Sequence, residues 1–359
     1  MLIKRETNVG ANSILTVYRP CTIGEFVGND GVKKLLKNYL TTNTLPHSLL
    51  FTGQAGSGKT TLARIVALHL NCENLINNEA CLECASCKSI LNSNSLDVME
   101  INIASNNGKA AAEDIVNSLS TAPFRSKHRV IIFDECHMLS TAAKAVLLKH
   151  MEDCYSHIYL IFCTNEPDKL VSKNEEEKGN AFLDRCERLN LKAVSTEEIF
   201  SMLENVCQFE GANYNTEVLT YISELTKGIP RKALNVLGKV LTENSWLIEN
   251  VKSLLEDVLL EETDAEIINL SRSLLDKDFS KCCIIFEKLC KKYPIESIRI
   301  AVCGYFVGCL KRSKGKGGIA LSNSLTQLTV PIYLTGKPAE YVFYNVMFKV
   351  VTLLGANDK

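Results

Sequence analysis

The sequence predicts an α/β protein: a parallel β-sheet covered by helices on both faces, followed by two helical segments. Three observations carry that reading. Between residues 45 and 192, short apolar runs alternate with amphipathic stretches. Two of the runs, Val130 to Asp134 and Ile158 to Cys163, are too continuously apolar to face water on one side. After residue 195 the apolar residues recur at helical spacing with little strand character. With 359 residues, 46% hydrophobic and only 8 prolines, the chain is long and apolar enough for two or three folded domains, which excludes a disordered protein.

Taken in order, Ser48 to Thr52 and Val98 to Ile103 are the first strands, the two apolar runs follow, and Leu189 to Leu191 is the last. Ser195 and Glu198 form a capping box ahead of Ile199, Met202, Leu203 and Val206. A second helix carries Val218, Ile222 and Leu225, Gly228 and Pro230 mark its end, and a third carries Leu234, Leu237 and Leu241. These divide the chain into a sheet domain, 1–194, and a small helical domain, 195–243. Helical periodicity over Ala265 to Leu275, Phe279 to Lys292, Ile295 to Leu310 and Ala339 to Leu354 makes 244–359 a bundle. Between the last two, Lys311 to Gly318 reads as a mobile basic loop.

Forty basic and 41 acidic side chains leave a charge of -1, which excludes a polyanion binder working by bulk charge, so any nucleic-acid surface is local. No apolar run approaches the roughly 20 residues that span a bilayer, and the first ten residues lack a secretory apolar stretch. A cytoplasmic protein without membrane contact is expected. There, 15 cysteines stay reduced. Most are scattered as small buried side chains, Cys282, Cys283, Cys303 and Cys309 among them. Cys72, Cys81, Cys84 and Cys87 cluster instead, and their C-x8-C-x2-C-x2-C spacing suits tetrahedral Zn²⁺. Four thiolates close the coordination shell, so the metal would be structural and order the weakly hydrophobic insertion Asn71 to Ser95.

Gly53-Gln54-Ala55-Gly56-Ser57-Gly58-Lys59-Thr60 matches the G-x4-G-K-T phosphate loop. Thr61 and the periodic Leu62, Ile65, Val66 and Leu70 continue it into a helix. Backbone N–H groups freed by the glycines cradle phosphates, Lys59 reaches the β- and γ-phosphates of ATP, and the Thr60 hydroxyl ligates Mg²⁺. Asp134 and Glu135 end an apolar strand, placing one carboxylate for the Mg²⁺ shell and one for the attacking water. Thr164-Asn165 ends the next strand as candidate orienting groups, and spacing alone assigns no role to Arg185 or Arg231.

The order of these pieces resembles AAA+ ATPases, and specifically the gamma/tau subunits of bacterial DNA polymerase III clamp loaders. The resemblance runs from Tyr18-Arg19-Pro20 through Val27-Gly28, the phosphate loop, the four cysteines, Asp134 to Ser140, Thr164 to Leu170 and Asp184-Arg185-Cys186 to Gly228–Leu237, over residues 15–240. It implies an AAA+ ATPase domain with a zinc module, a helical lid and a C-terminal helical collar that joins subunits into a ring. It also implies that Asn165 or Thr164 is a first sensor, Arg231 a second, and Arg185 an arginine finger for a neighbouring subunit. Val17, Arg19, Pro20, Val27 and Gly28 would surround the adenine, and Ser105, Asn106, Asn107 and Lys109 would grip DNA. The implied partners are other loader subunits, a sliding clamp and primer–template DNA.

The chain departs from the family at Asp184, usually serine, where a carboxylate could pair with Arg185. It departs again in the longer, acidic segment Val171 to Ala181, and in ending at the collar without a tau tail. Such divergence suits a bacteriophage or other outlying relative. Two rival readings are a non-hydrolysing delta-prime-like subunit, opposed by intact Lys59, Thr60 and Glu135, and a superfamily 2 helicase, which needs a second RecA-like lobe.

Overall fold

A computed structural model describes residues 14–105, 122–153, 155–170, 181–244, 246–248, 251, 265–290, 293, 295–313, 316–330, 332 and 337–355. The chain divides into two compact units, Met1–Val251 and Lys252–Lys359.

In the first unit, α1 (Asp30–Thr42) leads to β1 (Ser48–Gly53), α2 (Lys59–Asn71) and α3 (Ala85–Leu91). Then come β2 (Val98–Asn102), β3 (Arg129–Asp134), α4 (Thr141–Asp153), β4 (Ile158–Thr164) and β5 (Glu187–Leu191). The strands form one parallel sheet in the order β2-β3-β4-β1-β5, which bears out the α/β expectation. All seven residues of β4 are buried, because helices cover both faces. Alternation then decides which core each residue joins. Val130 and Ile132 pack with Leu36 of α1 and Leu62 and Val66 of α2, whereas Ile131 and Phe133 pack with Leu147 and Met151 of α4. The chain leaves β1 toward β2 on one side and leaves β4 toward β5 on the other, so the connections from these two neighbouring strands run in opposite directions. The carboxyl ends of β1, β3 and β4 therefore open onto one crevice.

Beyond the sheet stand α5 (Thr196–Glu210), α6 (Thr216–Leu225) and α7 (Pro230–Glu243). The Ser195–Glu198 capping box is complete, and Pro230 sits in the first turn of α7, where a missing N–H costs little. One expected core residue is displaced. Leu225 is exposed, while Ser223 and Thr226 are buried with their hydroxyls donating to the carbonyls of Leu219 and Ile222. Bonding back to the preceding turn lets a hydroxyl enter an apolar face.

The approach to β3 is held by Asp97, a buried carboxylate accepting the N–H groups of Phe124, Arg125 and Ser126 at 2.6, 2.8 and 2.8 Å. Burial pushes its pKa up, but these N–H bonds outweigh it and the net shift is downward. A carboxyl with a depressed folded pKa stabilises the fold above its unfolded value, near 3.9, and that contribution is lost as pH falls through the folded value. Asp97→Ala should cost about 1–3 kcal/mol in urea unfolding at pH 7, with the deficit shrinking as pH falls below about 4.

The second unit consists of α8 (Ala265–Leu275), α9 (Phe279–Cys290), α10 (Ile295–Arg312), α11 (Lys316–Leu328) and α12 (Lys337–Gly355) among its described residues. They enclose one apolar core containing Leu270, Phe286, Phe306, Leu325, Phe343 and Met347. No second sheet is present among them. Cys282 is buried, and Cys283, Cys303 and Cys309 are half-buried. The basic loop is shorter than expected: α10 runs to Arg312, and Lys316 already begins α11. Gly317 and Gly318 concealed that helix, although a first turn makes no intrahelical N–H bonds and tolerates glycine. No described helix is long and apolar enough to cross a membrane.

Candidate functional site

The phosphate loop follows from its glycines. Gly53, Gly56 and Gly58 have φ of 145°, 79° and 100°, and a Cβ on Gly53 would stand 2.5 Å from the Leu191 carbonyl oxygen. A Cβ on Gly58 would come within 2.7 Å of the Phe26 ring, a neighbour that sequence reasoning missed. The loop curls over the buried Lys59, whose Nζ donates to the carbonyls of Gly53 and Gln54 at 2.9 Å each. Burial lowers the Lys59 pKa, against the pull of the Glu135 and Asp134 carboxylates. Thr60 Oγ1 donates to Asp134 Oδ2 at 2.8 Å, so a hydroxyl and a carboxylate meet across the crevice. This all-oxygen pair fits a hard cation such as Mg²⁺. Thr61, next on α2, is half-buried.

Glu135 adopts a left-handed φ of 53° and opens a 3-10 turn, Cys136–Met138. Burial, and then the charge of Asp134, raises its carboxyl pKa, opposed by Lys59. Its Oε2 is sealed from solvent without a hydrogen bond, 3.4 Å from His137 Nδ1. The same Nδ1 lies 3.0 Å from Thr164 Oγ1, which accepts the Glu166 N–H at 2.9 Å. Burial lowers the His137 pKa, which keeps the imidazole neutral near pH 7. Of the two groups expected at the end of β4, Thr164 is fully buried and Asn165 is exposed.

The start of α7 reaches the loop from above. A Cβ on Gly56 would meet Ile229 Cγ2 at 2.8 Å and Arg231 Cβ at 3.1 Å, so Arg231 stands directly beside the phosphate loop. Its charge is felt at Lys59, Glu135 and Arg19. Val194 fixes the junction: its N–H donates to the Gly228 carbonyl at 2.9 Å, and its side chain leaves no room for a Cβ on Gly28. In the same region Val17 is buried, and Arg19, Pro20 and Val27 are half-buried. The turn Ile14–Val17 packs on α7, with Ile14 against Gly238.

Arg185 is not brought to this crevice. It precedes β5, whereas Gly53 pairs in register with Leu191 at the far end of that strand, about 15 Å away along the chain direction. Its guanidinium donates to the Ala181 carbonyl at 2.9 Å and to Glu152 Oε1 of α4 at 2.5 Å. Asp184 pairs with Arg188 at 3.3 Å, so the carboxylate holding Arg185 is Glu152 and not the neighbour in sequence. Ser105 is exposed and donates to the Asn102 carbonyl. Asn106, Asn107, Lys109 and the acidic segment 171–180 lie outside the described residues.

The four cysteines do come together. The sulfurs of Cys72, Cys81, Cys84 and Cys87 all lie within 4.8 Å of one another, compatible with the roughly 3.8 Å edge of a tetrahedron built on Zn–S bonds of about 2.3 Å. The N–H groups of Cys81, Cys84 and Cys87 point at the preceding ligand's sulfur at 3.3, 3.4 and 3.3 Å. Backbone N–H bonds hold Cys81 at about 6, while burial pushes Cys72 and Cys87 up. Four thiolates this close repel one another unless a cation lies between them. The cluster, with Cys21, Leu68 and Ala80, is the core of its module. Glu79 latches the module to the sheet domain by accepting the N–H groups of Ile23 and Gly24 at 3.0 and 3.1 Å. Asn71 itself ends α2, so the insertion begins at Cys72.

A family model described as DNA polymerase III, delta subunit, matches residues 28–174. The gamma subunit of Buchnera aphidicola subsp. Schizaphis graminum is 30% identical over 276 residues, covering 76% of this chain and 73% of that protein. The tau subunit of Bacillus subtilis is 32% identical over 271 residues, 75% of this chain, and the gamma/tau subunit of Mycoplasma pneumoniae 32% over 223 residues, 62% of this chain. The matches span only 46% and 31% of those two longer relatives. The Thermotoga maritima RuvB Holliday junction branch migration motor superposes with a TM-score of 0.47 at 19% identity, covering 72% of this chain and 79% of that one. With its phosphate loop, parallel sheet and extended similarity to a gamma subunit, the chain belongs to the DNA polymerase III gamma/tau family of AAA+ proteins.

Proposed function

We propose that this chain is an ATP-hydrolysing clamp-loader subunit that helps open a sliding clamp and place it on primer–template DNA, within a ring of related subunits. The observation carrying the reading is the meeting of three elements at one crevice: the glycine loop with Lys59 and Thr60, the Asp134–Glu135 end of β3, and Arg231 at the start of α7. Gly53, Gly56 and Gly58 would free N–H groups for phosphates, and Lys59 would bind the β- and γ-phosphates. Thr60 and Asp134 would hold Mg²⁺, which when bound neutralises charge on the transferred phosphoryl group. Glu135 would take a proton from the attacking water, and Thr164 or Asn165 would orient it. Arg231 would report the γ-phosphate to α5–α7 as a lid. Val17, Arg19, Pro20, Val27 and Gly28 would enclose the adenine. Arg185, far from this chain's own loop, would serve a neighbour's ATP. Residues 1–194, 195–243 and 244–359 would then be the ATPase, lid and collar.

Cys72, Cys81, Cys84 and Cys87 would hold one structural zinc. Protein purified without chelator should carry one zinc per chain. Cys87→Ser should release the metal and lower the melting temperature, because ordering of the module depends on it. Zinc-free protein with four freely reactive thiols would contradict the assignment.

The function itself is tested by ATP turnover of the complex copurified with this chain. Turnover should rise when a sliding clamp and primed DNA are both added, and salt should weaken the DNA effect by restoring condensed counterions. Unchanged turnover with both present would overturn the reading. Tight ATP binding without any turnover would instead point to a non-hydrolysing, delta-prime-like role.

A further inference from the structure

His137 has no part in the site as assembled above, yet its side chain is only 8% exposed and its Nδ1 stands between two groups that do. Thr164 Oγ1 lies 3.0 Å away on one side and Glu135 Oε2 3.4 Å away on the other. Thr164 is itself well fixed, since its hydroxyl oxygen accepts the Glu166 N–H and its Cα pairs in register with Thr52, the residue before Gly53. The imidazole therefore links the exit of β3 to the strand ends that carry the phosphate loop.

The nearby carboxylate favours one of the two tautomers open to the ring. An unprotonated Nδ1 would turn its lone pair toward the carboxylate, whereas an Nδ1–H donating to Thr164 Oγ1 leaves its positive end near Oε2 as well. Sealing matters too: Oε2 is closed to solvent, while the Glu135 side chain as a whole is 29% exposed, so the part open to the crevice is not Oε2. We propose that His137 is a positioning residue for Glu135: held through Nδ1–H by the Thr164 hydroxyl, the ring pins one carboxylate oxygen inward so that the other faces the phosphate loop. The inference rests on Glu135 being the group that activates water.

Two nearly isosteric variants separate positioning from packing. Asparagine at 137 places an N–H donor close to the position of Nδ1, and leucine fills the same space without one. A misplacement of about 1 Å can cost about a hundred-fold in rate, so His137→Leu should lower kcat for ATP by about 10–100-fold while KM and ATP affinity stay within about two-fold. His137→Asn should keep kcat within about three-fold of the parent, and adding His137→Leu to Glu135→Gln should cost no more than about two-fold further. Parental kcat in His137→Leu, equal losses in both variants, or losses that track falling ATP affinity would each overturn the proposal. Parental turnover in Glu135→Gln would instead remove the assignment of Glu135. An inactive Glu135→Gln beside a fully active His137→Leu would sink the His137 inference alone.

Discussion

Glu135→Gln should bind ATP with parental affinity and hydrolyse it at least about a hundred-fold more slowly. Binding would rest on the loop, Lys59 and the Thr60–Asp134 pair, none of which uses the Glu135 carboxylate in a hydrogen bond. Glutamine keeps the size and the left-handed backbone but cannot accept a proton from water. Lys59→Ala should lose both properties, because a buried ammonium that now satisfies the Gly53 and Gln54 carbonyls is removed along with the phosphate contact. Fluorescent-nucleotide titration beside single-turnover hydrolysis reads the two separately. Equal loss of binding and turnover in Glu135→Gln would contradict the division of labour.

Arg185→Ala should leave nucleotide affinity of the isolated chain intact and lower hydrolysis in the assembled complex by about 10³–10⁵-fold. The reason is geometric: Arg185 lies at the opposite end of β5 from the residue that pairs with Gly53, so it does not serve its own chain's phosphate loop. The ion pair with Glu152 is no obstacle to release. Both partners are more than a third exposed, and such surface pairs are worth at most about 1 kcal/mol. Asp184, engaged with Arg188, does not compete for the guanidinium.

How much of this could be read from the sequence depends on the range of the interaction. The parallel sheet was legible because β3 and β4 are buried on both faces and carry unbroken apolar runs. The phosphate loop was legible because its three positive-φ positions require glycine at fixed spacing. The capping box at Ser195 was legible because both of its bonds close within three residues. By contrast, α11 was hidden by the glycines of its first turn, and Leu225 by hydroxyls that took the buried face of α6. The partners that refine the site are distant in sequence. Glu152 lies 33 residues from Arg185 and Thr164 27 from His137, and Phe26 reaches Gly58 from the segment before β1. No local periodicity encodes such pairs; they exist only once the sheet order has set β4 beside β1 and β3.

One measurement bears most directly on the central claim, that this chain is a hydrolysing subunit whose site is completed by a neighbour. Arg185→Ala chains and Lys59→Ala chains, each inactive alone, are combined and assembled with the partners that copurify with the parent. Each supplies what the other lacks, so interfaces pairing an intact Arg185 with an intact phosphate loop should restore measurable hydrolysis stimulated by clamp and primed DNA. If mixed complexes demonstrably form and the mixture stays as inactive as either parent, the shared site is wrong.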